Sequence, residues 1–103
     1  MGTHLPSMSA TELLILDLLE QGEGFGLQLV AAGGGALKRG SIYVLLTRME
    51  TKGFVTSRLE DRPPGASGLP RRLYTPTPYG LKVRDALRAL QATLALRPVE
   101  ARP

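Results

Sequence analysis

A single stretch narrows the folds open to this chain: Gly40-Ser41-Ile42-Tyr43-Val44-Leu45-Leu46-Thr47-Arg48-Met49-Glu50-Thr51-Lys52-Gly53. Ile42, Leu45, Leu46 and Met49 fall at i, i+3, i+4 and i+7, which draws one narrow apolar stripe along a helix. Such a stripe has to face a core. At about 100° per residue, the far side carries Gly40, Val44, Thr47 and Thr51, with Tyr43 on one flank and Arg48 on the other. Small and hydrogen-bonding groups occupy that face, with no Glu/Lys ladder, and a surface of this kind suits close approach to something grooved. The alternative is an ordinary core helix with a weakly polar back.

The stretches before it supply helices. Ser9-Ala10-Thr11-Glu12 has the form of a capping box, in which the serine hydroxyl and the glutamate carboxylate satisfy each other's free backbone N–H groups. A helix from about Ala10 to Gln21 follows, and Gly22 is a natural stop. Leu13, Leu14, Ile15, Leu16, Leu18 and Leu19 cover most of its circumference, leaving Asp17 and Glu20 as a narrow polar side. A helix this apolar has more than one face to bury: one against its own core, the other against a second subunit. Gly22-Glu23-Gly24-Phe25-Gly26 is glycine-rich, but it lacks the G-x-G-x-x-G continuation, has no Lys-Ser/Thr and follows a helix, so it reads as a turn and not a phosphate loop. A short helix from about Phe25 to Ala32 then presents Phe25, Leu29 and Val30 inward, and Gly33-Gly34-Gly35 ends it. Two short helices, a glycine-containing connection and an amphipathic helix make the helix-turn-helix pattern.

After Gly53, Phe54 to Leu59 is β-branched and aromatic with partial alternation, and Arg71 to Thr75 reads as its return strand. Between them Glu60 to Pro70 holds Pro63, Pro64, Gly65, Ser67, Gly68 and Pro70, an irregular mobile tip in place of a tight turn. The expected class is mainly α with a small β-ribbon: a winged helix-turn-helix with an added C-terminal dimerisation helix. Arg58, Arg62, Arg71 and Arg72 put the wing within reach of sugar-phosphate or a minor groove. The alternative for these arginines is solubility and edge protection. Thr77-Pro78 opens the last helix, as cap and first helical residue. Val83, Leu87, Leu90 and Leu94 then form a coiled-coil-type seam that ends near Arg97-Pro98. The expected divisions are a loose tail over residues 1–8, in part a cloning remnant, the winged domain over 9–76, the dimerisation helix over 77–97 and a second loose tail over 98–103.

Composition closes off other functions. In 103 residues there is room for one modest core, and 43% hydrophobic with 21% charged residues fits a globular chain. No cysteine and one histidine, His4, leave disulfide, thiolate, zinc and imidazole chemistry without its residues. Ser41 and Tyr43 have no histidine to activate them, and Glu60-Asp61 adjoin a loop, so no enzyme, metal site or cofactor is expected. The lack of an apolar run near 18 residues or of a signal peptide points to a cytoplasmic protein with no membrane partner. The formal net charge is +4, yet Glu12, Asp17, Glu20 and Glu23 make the first quarter acidic. From Lys38 to Arg84 ten basic residues (Lys38, Arg39, Arg48, Lys52, Arg58, Arg62, Arg71, Arg72, Lys82, Arg84) stand against three acidic ones (Glu50, Glu60, Asp61). That bias suits a polyanion, or else a solvated basic surface.

From Leu13 to Leu90 the residues resemble the PadR-like winged-helix transcriptional regulators. The resemblance rests on the leucine-rich first helix, Gly24-Phe25-Gly26-Leu27, Gly40-Ser41-Ile42-Tyr43, Leu46 to Met49 with Glu50-x-x-Gly53-Phe54-Val55, Gly68-Leu69-Pro70-Arg71-Arg72-x-Tyr74, and Thr77-x-x-Gly80. It implies a homodimeric DNA-binding regulator, usually a repressor, paired through its last and first helices. Gly40, Ser41 and Tyr43 match the family's recognition-helix signature, and Arg71 and Arg72 its basic wing end. The chain departs from the pattern at Lys38-Arg39, where a capping serine and proline are usual, at Val44 in place of a proline, at Pro76 and Pro78 around the threonine, and in its short last helix.

The expected partners are double-stranded DNA and a second copy of the chain, with a small-molecule effector between the first and last helices as a further candidate that no polar cluster marks. The expected DNA contacts are Val44 for a thymine methyl, Thr47 and Thr51 for a base edge or phosphate, Arg48 for a guanine or phosphate, Lys38, Arg39, Ser41, Tyr43 and Lys52 for phosphate, Gly40 from the recognition-helix signature, and Arg62, Arg71 and Arg72 from the wing. Leu13, Leu16, Val83, Leu87, Leu90 and Leu94 are the expected dimer contacts. The rival reading is a winged-helix DNA-partition adaptor or protein-interaction module.

Overall fold

The structure, a computed structural model, describes residues 6–22, 24–65 and 67–96. Its elements run α1 (Ala10–Glu20), β1 (Gly24–Phe25), α2 (Gly26–Ala32), α3 (Ile42–Thr51), β2 (Val55–Leu59), β3 (Arg72–Pro76) and α4 (Pro78–Ala95). This is a winged-helix fold, mainly helical with a small antiparallel sheet.

The capping box forms as the sequence predicts: the Ser9 hydroxyl accepts from the Glu12 N–H at 3.2 Å, and the Ser9 N–H donates to Glu12 Oε1 at 2.8 Å. From that start α1 runs through the middle of the fold, against α2, β3 and α4. Leu16 is 0% exposed, with Ile15 and Leu19 beside it in the core, so the expectation that Leu16 meets a second copy is corrected. The chain itself covers both faces of α1 there, and Leu13 stays half-buried. Just ahead of α1, Met8 packs partly buried against the core.

The sheet has the order β1-β3-β2, all antiparallel. β2 and β3 are the expected wing strands, with Ser57 opposite Tyr74. β1 is an addition: Gly24 pairs with Tyr74 and Phe25 with Leu73 where the sequence suggested only a turn and the start of a helix. Two residues cannot display alternation, so no pattern announced the strand.

The junction of α3, wing and α4 is one joint. α3 ends in a Schellman motif, with the Phe54 N–H on the Met49 carbonyl at 2.9 Å, the Gly53 N–H on the Glu50 carbonyl at 3.0 Å, and Gly53 at φ +85°. Thr77 caps α4 by accepting from the Gly80 N–H at 2.9 Å, and its hydroxyl donates to the Gly53 carbonyl at 2.6 Å. A Cβ on Gly80 would run into the Phe54 main chain, with Phe54 Cα at 2.9 Å. The Thr77-x-x-Gly80 pattern therefore seats the first turn of α4 directly on the end of α3.

Along α4 the seam climbs out of the protein. Val83 is buried in the chain's own core, which corrects its assignment to a dimer surface, Leu87 is half-buried, and Leu90 and Leu94 are exposed. Arg97-Pro98, the expected end, lies outside the described residues.

Candidate nucleic-acid interface

Burial on α3 divides as its spacing predicts. Ile42, Leu46 and Met49 are buried and Leu45 half-buried, while Ser41, Tyr43, Val44, Thr47, Arg48 and Thr51 are exposed. Val44 is 61% exposed, a high value for a β-branched apolar residue in mid-helix. The turn before the helix, in which the Lys38 carbonyl accepts from the Ser41 and Ile42 N–H groups at 3.3 and 3.0 Å, exposes Lys38, Arg39 and Gly40. The helix thus starts at Ile42, with Ser41 as N-cap and no side-chain cap bond. Thr51 spends its hydroxyl proton on the Thr47 carbonyl at 3.1 Å.

Tyr43 has a prepared seat. A Cβ on Gly26 would lie 2.6 Å from the Tyr43 ring, so a side chain there would displace the ring from this position. Tyr43 also shares a cleft of about 320 Å³ with Phe25, Pro70, Arg71 and Arg72. The root of the wing and the exposed face of α3 therefore border one concavity. A relay reinforces their alignment: Arg72 Nη1 donates to Ser57 Oγ at 3.1 Å, and the Ser57 hydroxyl donates to the Glu50 carboxylate at 2.9 Å. Beneath it Tyr74 is buried, and loss of solvent pushes its phenol above the ordinary value, so it is a neutral spacer at the base of the wing.

The remaining wing cations differ in their engagements. Arg71 lies over the Phe25 ring at 4.5 Å with Nε 3.8 Å from Glu60, exposed along one side. Arg58 is exposed and donates to the Leu59 carbonyl at 3.5 Å. Arg62 is turned into the loop, on the carbonyls of Ser67 and Leu69 and the carboxylate of Glu60. Lys52 differs most from expectation. Its ammonium sits 3.0 Å from Glu12 Oε2, also donates to the Ser7 carbonyl at 3.3 Å and lies 5.6 Å from the Phe54 ring. Glu12 is 2% exposed, so this ion pair fastens the start of α1 to the end of α3.

Sequence reasoning did not find that pair, nor the one between α1 and α4. Arg84, buried, donates to Asp17 at 3.1 Å, Glu20 at 2.6 Å and Asp85 at 3.0 Å, and Arg88 forks onto Asp17. Hydrogen bonding to Glu20 holds the Arg84 guanidinium firmly protonated, and Arg88 holds the Asp17 carboxyl below its ordinary range. The polar side of α1 thus faces its own chain. Among the described residues no cluster of His, Cys, Asp and Glu could hold a metal, and no helix is long and apolar enough to cross a membrane.

Solved structures share this arrangement. A PadR family transcriptional regulator from Eggerthella lenta is 27% identical with a TM-score of 0.67, over 80% of this chain and 71% of that one. One from Clostridium difficile is 25% identical with a TM-score of 0.66, over 80% and 86%. A PadR-like regulator from Bacillus cereus is 26% identical with a TM-score of 0.65, over 82% and 84%. No curated protein sequence gives a match. The family model for the transcriptional regulator PadR-like family matches residues 15–86, which takes in the second half of α1, the exposed face of α3, the wing and the glycine joint. The chain therefore belongs to the PadR-like family of transcriptional regulators, and its work is DNA-binding regulation, not catalysis.

Proposed function

We propose that two copies of this chain pair into a homodimer and act as a sequence-specific repressor at an inverted-repeat operator. The observation that carries this reading is the exposed face of α3, where Val44, Thr47, Arg48 and Thr51 stand clear of the protein between a basic turn and a basic wing root. A helix lying in the major groove has to come close to base edges, and this face has no long acidic side chain at its centre to prevent it. Val44 suits a thymine methyl, Arg48 a guanine edge or a phosphate, and Thr47 and Thr51 a base edge or phosphate. Lys38, Arg39, Ser41 and Tyr43, with Arg71 and Arg72, suit the flanking backbone.

Pairing uses the seam that the chain leaves uncovered. Leu87, Leu90 and Leu94, with Leu13, supply apolar surface, and Tyr79, Ala86, Leu87 and Leu90 border an apolar groove of about 350 Å³ along α4. A two-fold dimer of this kind presents its α3 helices to successive major grooves about 34 Å apart. Where the operator overlaps a promoter, occupancy excludes transcription.

The test is fluorescence anisotropy against a duplex selected from a random library and its scrambled counterpart, repeated across salt, with sedimentation to give the mass. The expected result is preference for the selected duplex, log affinity falling by roughly 0.9 per neutralised phosphate for each decade of salt, and a particle of twice 11.1 kDa. Equal binding of both duplexes would favour a partition adaptor. Arg48→Ala and Thr47→Ala that left both affinities unchanged would remove α3 from base reading.

A further inference from the structure

The tip of the wing is chemically unlike its root. From Asp61 to Pro70 the sequence holds a single basic residue, Arg62, and the structure turns it inward. Its Nη1 donates to the Leu69 carbonyl at 3.1 Å and lies 3.5 Å from Glu60, while Nη2 donates to the Ser67 carbonyl. Glu60 in turn accepts from the Arg71 N–H at 3.2 Å, and the Glu60 N–H donates to the Arg71 carbonyl at 2.8 Å. One guanidinium and one carboxylate thus staple the two limbs of the loop across its waist. With Arg62 engaged there and Asp61 exposed beside it, the tip offers no cation to a phosphate.

What it offers is Leu69, at 88% the most exposed large apolar side chain among the described residues. A lone exposed leucine is ordinary on a protein surface. The mounting of this one is not. Gly68 at φ +82° turns the chain into it, Pro70 confines its backbone to the extended region, and its carbonyl is held by Arg62. Pro70 borders the cleft that also holds Tyr43 and Arg72, so the segment carrying Leu69 adjoins the exposed face of α3.

We propose that Leu69 is a minor-groove contact, with Arg62 the positioning residue that holds it out; this rests on the DNA-binding reading given above. With α3 in the major groove, Arg71 and Arg72 meet the phosphates at the groove's edge and Leu69 enters the neighbouring minor groove against sugar faces and base edges. Leucine is among the side chains that proteins press into that groove. The guanine 2-amino group fills the groove floor, so the flank of each half-site should lack it.

The experiment measures anisotropy of the full chain on the selected duplex with its half-site flanks made all A·T, all G·C or all I·C. Inosine–cytosine pairs show the major-groove pattern of G·C without the minor-groove amino group, which separates the two grooves. The expected result is similar affinity for A·T and I·C flanks and about tenfold weaker binding to G·C, the scale of one leucine's burial. Leu69→Ala, exposed and therefore harmless to folding, should lose about that factor on A·T and erase the flank preference, with the salt slope unchanged. Arg62→Ala should reproduce the loss, also without a change in slope, and Arg62→Lys should restore it only in part. Flank-blind binding by the wild type, I·C flanks behaving as G·C, or full affinity in Leu69→Ala would overturn the contact. A slope smaller by about one in Arg62→Ala would make Arg62 a phosphate ligand and overturn the staple. Absence of wild-type binding to every duplex would overturn the DNA-binding reading itself, a result distinct from any of these.

Discussion

Helices α3 and α4 carry nearly the same apolar stripe and dispose of it in opposite ways. Ile42, Leu46 and Met49 are each no more than 1% exposed, covered by α2 and the rest of the core, whereas the stripe on α4 passes from Val83 at 8% to Leu94 at 73%. Periodicity states that a face needs covering and is silent about what covers it. Position supplies the rest: α3 lies between elements that fold back over it, and α4 outruns the body that holds its first turns. One stripe therefore builds the domain, while the outer half of the other stays uncovered by its own chain.

The contrast breaks first at Leu46. Leu46→Ala opens a cavity in a region with nothing to refill it and should cost about 2–5 kcal/mol, seen as a lower urea midpoint with an unchanged slope. The same loss at any protein concentration is expected, because no partner is involved. A cost below about 1 kcal/mol would mean that the α3 stripe is not the centre of the core.

Next comes the pin at the end of α3. Lys52→Met leaves Glu12 inside the protein without its counter-charge, and a fully buried pair broken in this way costs about 3–5 kcal/mol. Because Lys52 keeps 31% exposure, water screens part of that and about 1–3 kcal/mol is expected. The sharper readout is the salt slope of DNA binding by the folded variant. A pin leaves it unchanged, and a drop of about one would return Lys52 to the phosphate contacts.

These two sites also show how much was legible beforehand. The α3 stripe, the Ser9 capping box, the Thr77 cap and Gly53 all act within a few residues of themselves, so their spacing displays them. Glu12 and Lys52 lie 40 positions apart, and Arg84 and Arg88 lie 64 to 71 from Asp17 and Glu20; pairing over such distances leaves no local period. The same limit explains Leu16 and Arg62. An all-round apolar α1 does not say which neighbour meets which face, and a wing arginine does not say whether its fork looks outward or back into its own loop. The motif residues Gly26 and Gly80 were visible as part of a family pattern, but their close approaches, to the Tyr43 ring and to the Phe54 main chain, appear only in three dimensions.

On the other side of the contrast, Leu90→Ala with Leu94→Ala should leave the isolated fold nearly intact, since both side chains are exposed in the single chain. Dimerisation should weaken by about 1–2 kcal/mol per leucine. The check is the dependence of Tm on concentration, which a dimer shows and a monomer lacks. A wild-type Tm that stays flat over a wide concentration range would leave the α4 seam without the partner assigned to it.

The smallest effect belongs to the first half of α4, which charge holds against α1. The Arg88 hydrogen bond, with the Arg88 and Arg84 charges behind it, outweighs partial burial and keeps Asp17 below its ordinary value of 3.8. A carboxyl depressed in the folded state binds its proton more readily in the unfolded one. Its stabilising contribution is therefore complete above the ordinary carboxylate value and is lost as pH falls through the lower folded value. Arg84 and Arg88 are shifted upward, away from that window, and stay charged throughout. Thermal melts from about pH 6 to about pH 2 should show the wild type losing stability more steeply than Asp17→Asn below about pH 4, with the two profiles parallel above it. The α3 stripe contains no titrating group, so Leu46→Ala should shift the whole profile downward without changing its shape. Parallel wild-type and Asp17→Asn profiles across the acid range would show that the ion pairs of Asp17 with Arg84 and Arg88 contribute no stability to the packing of α4 on α1.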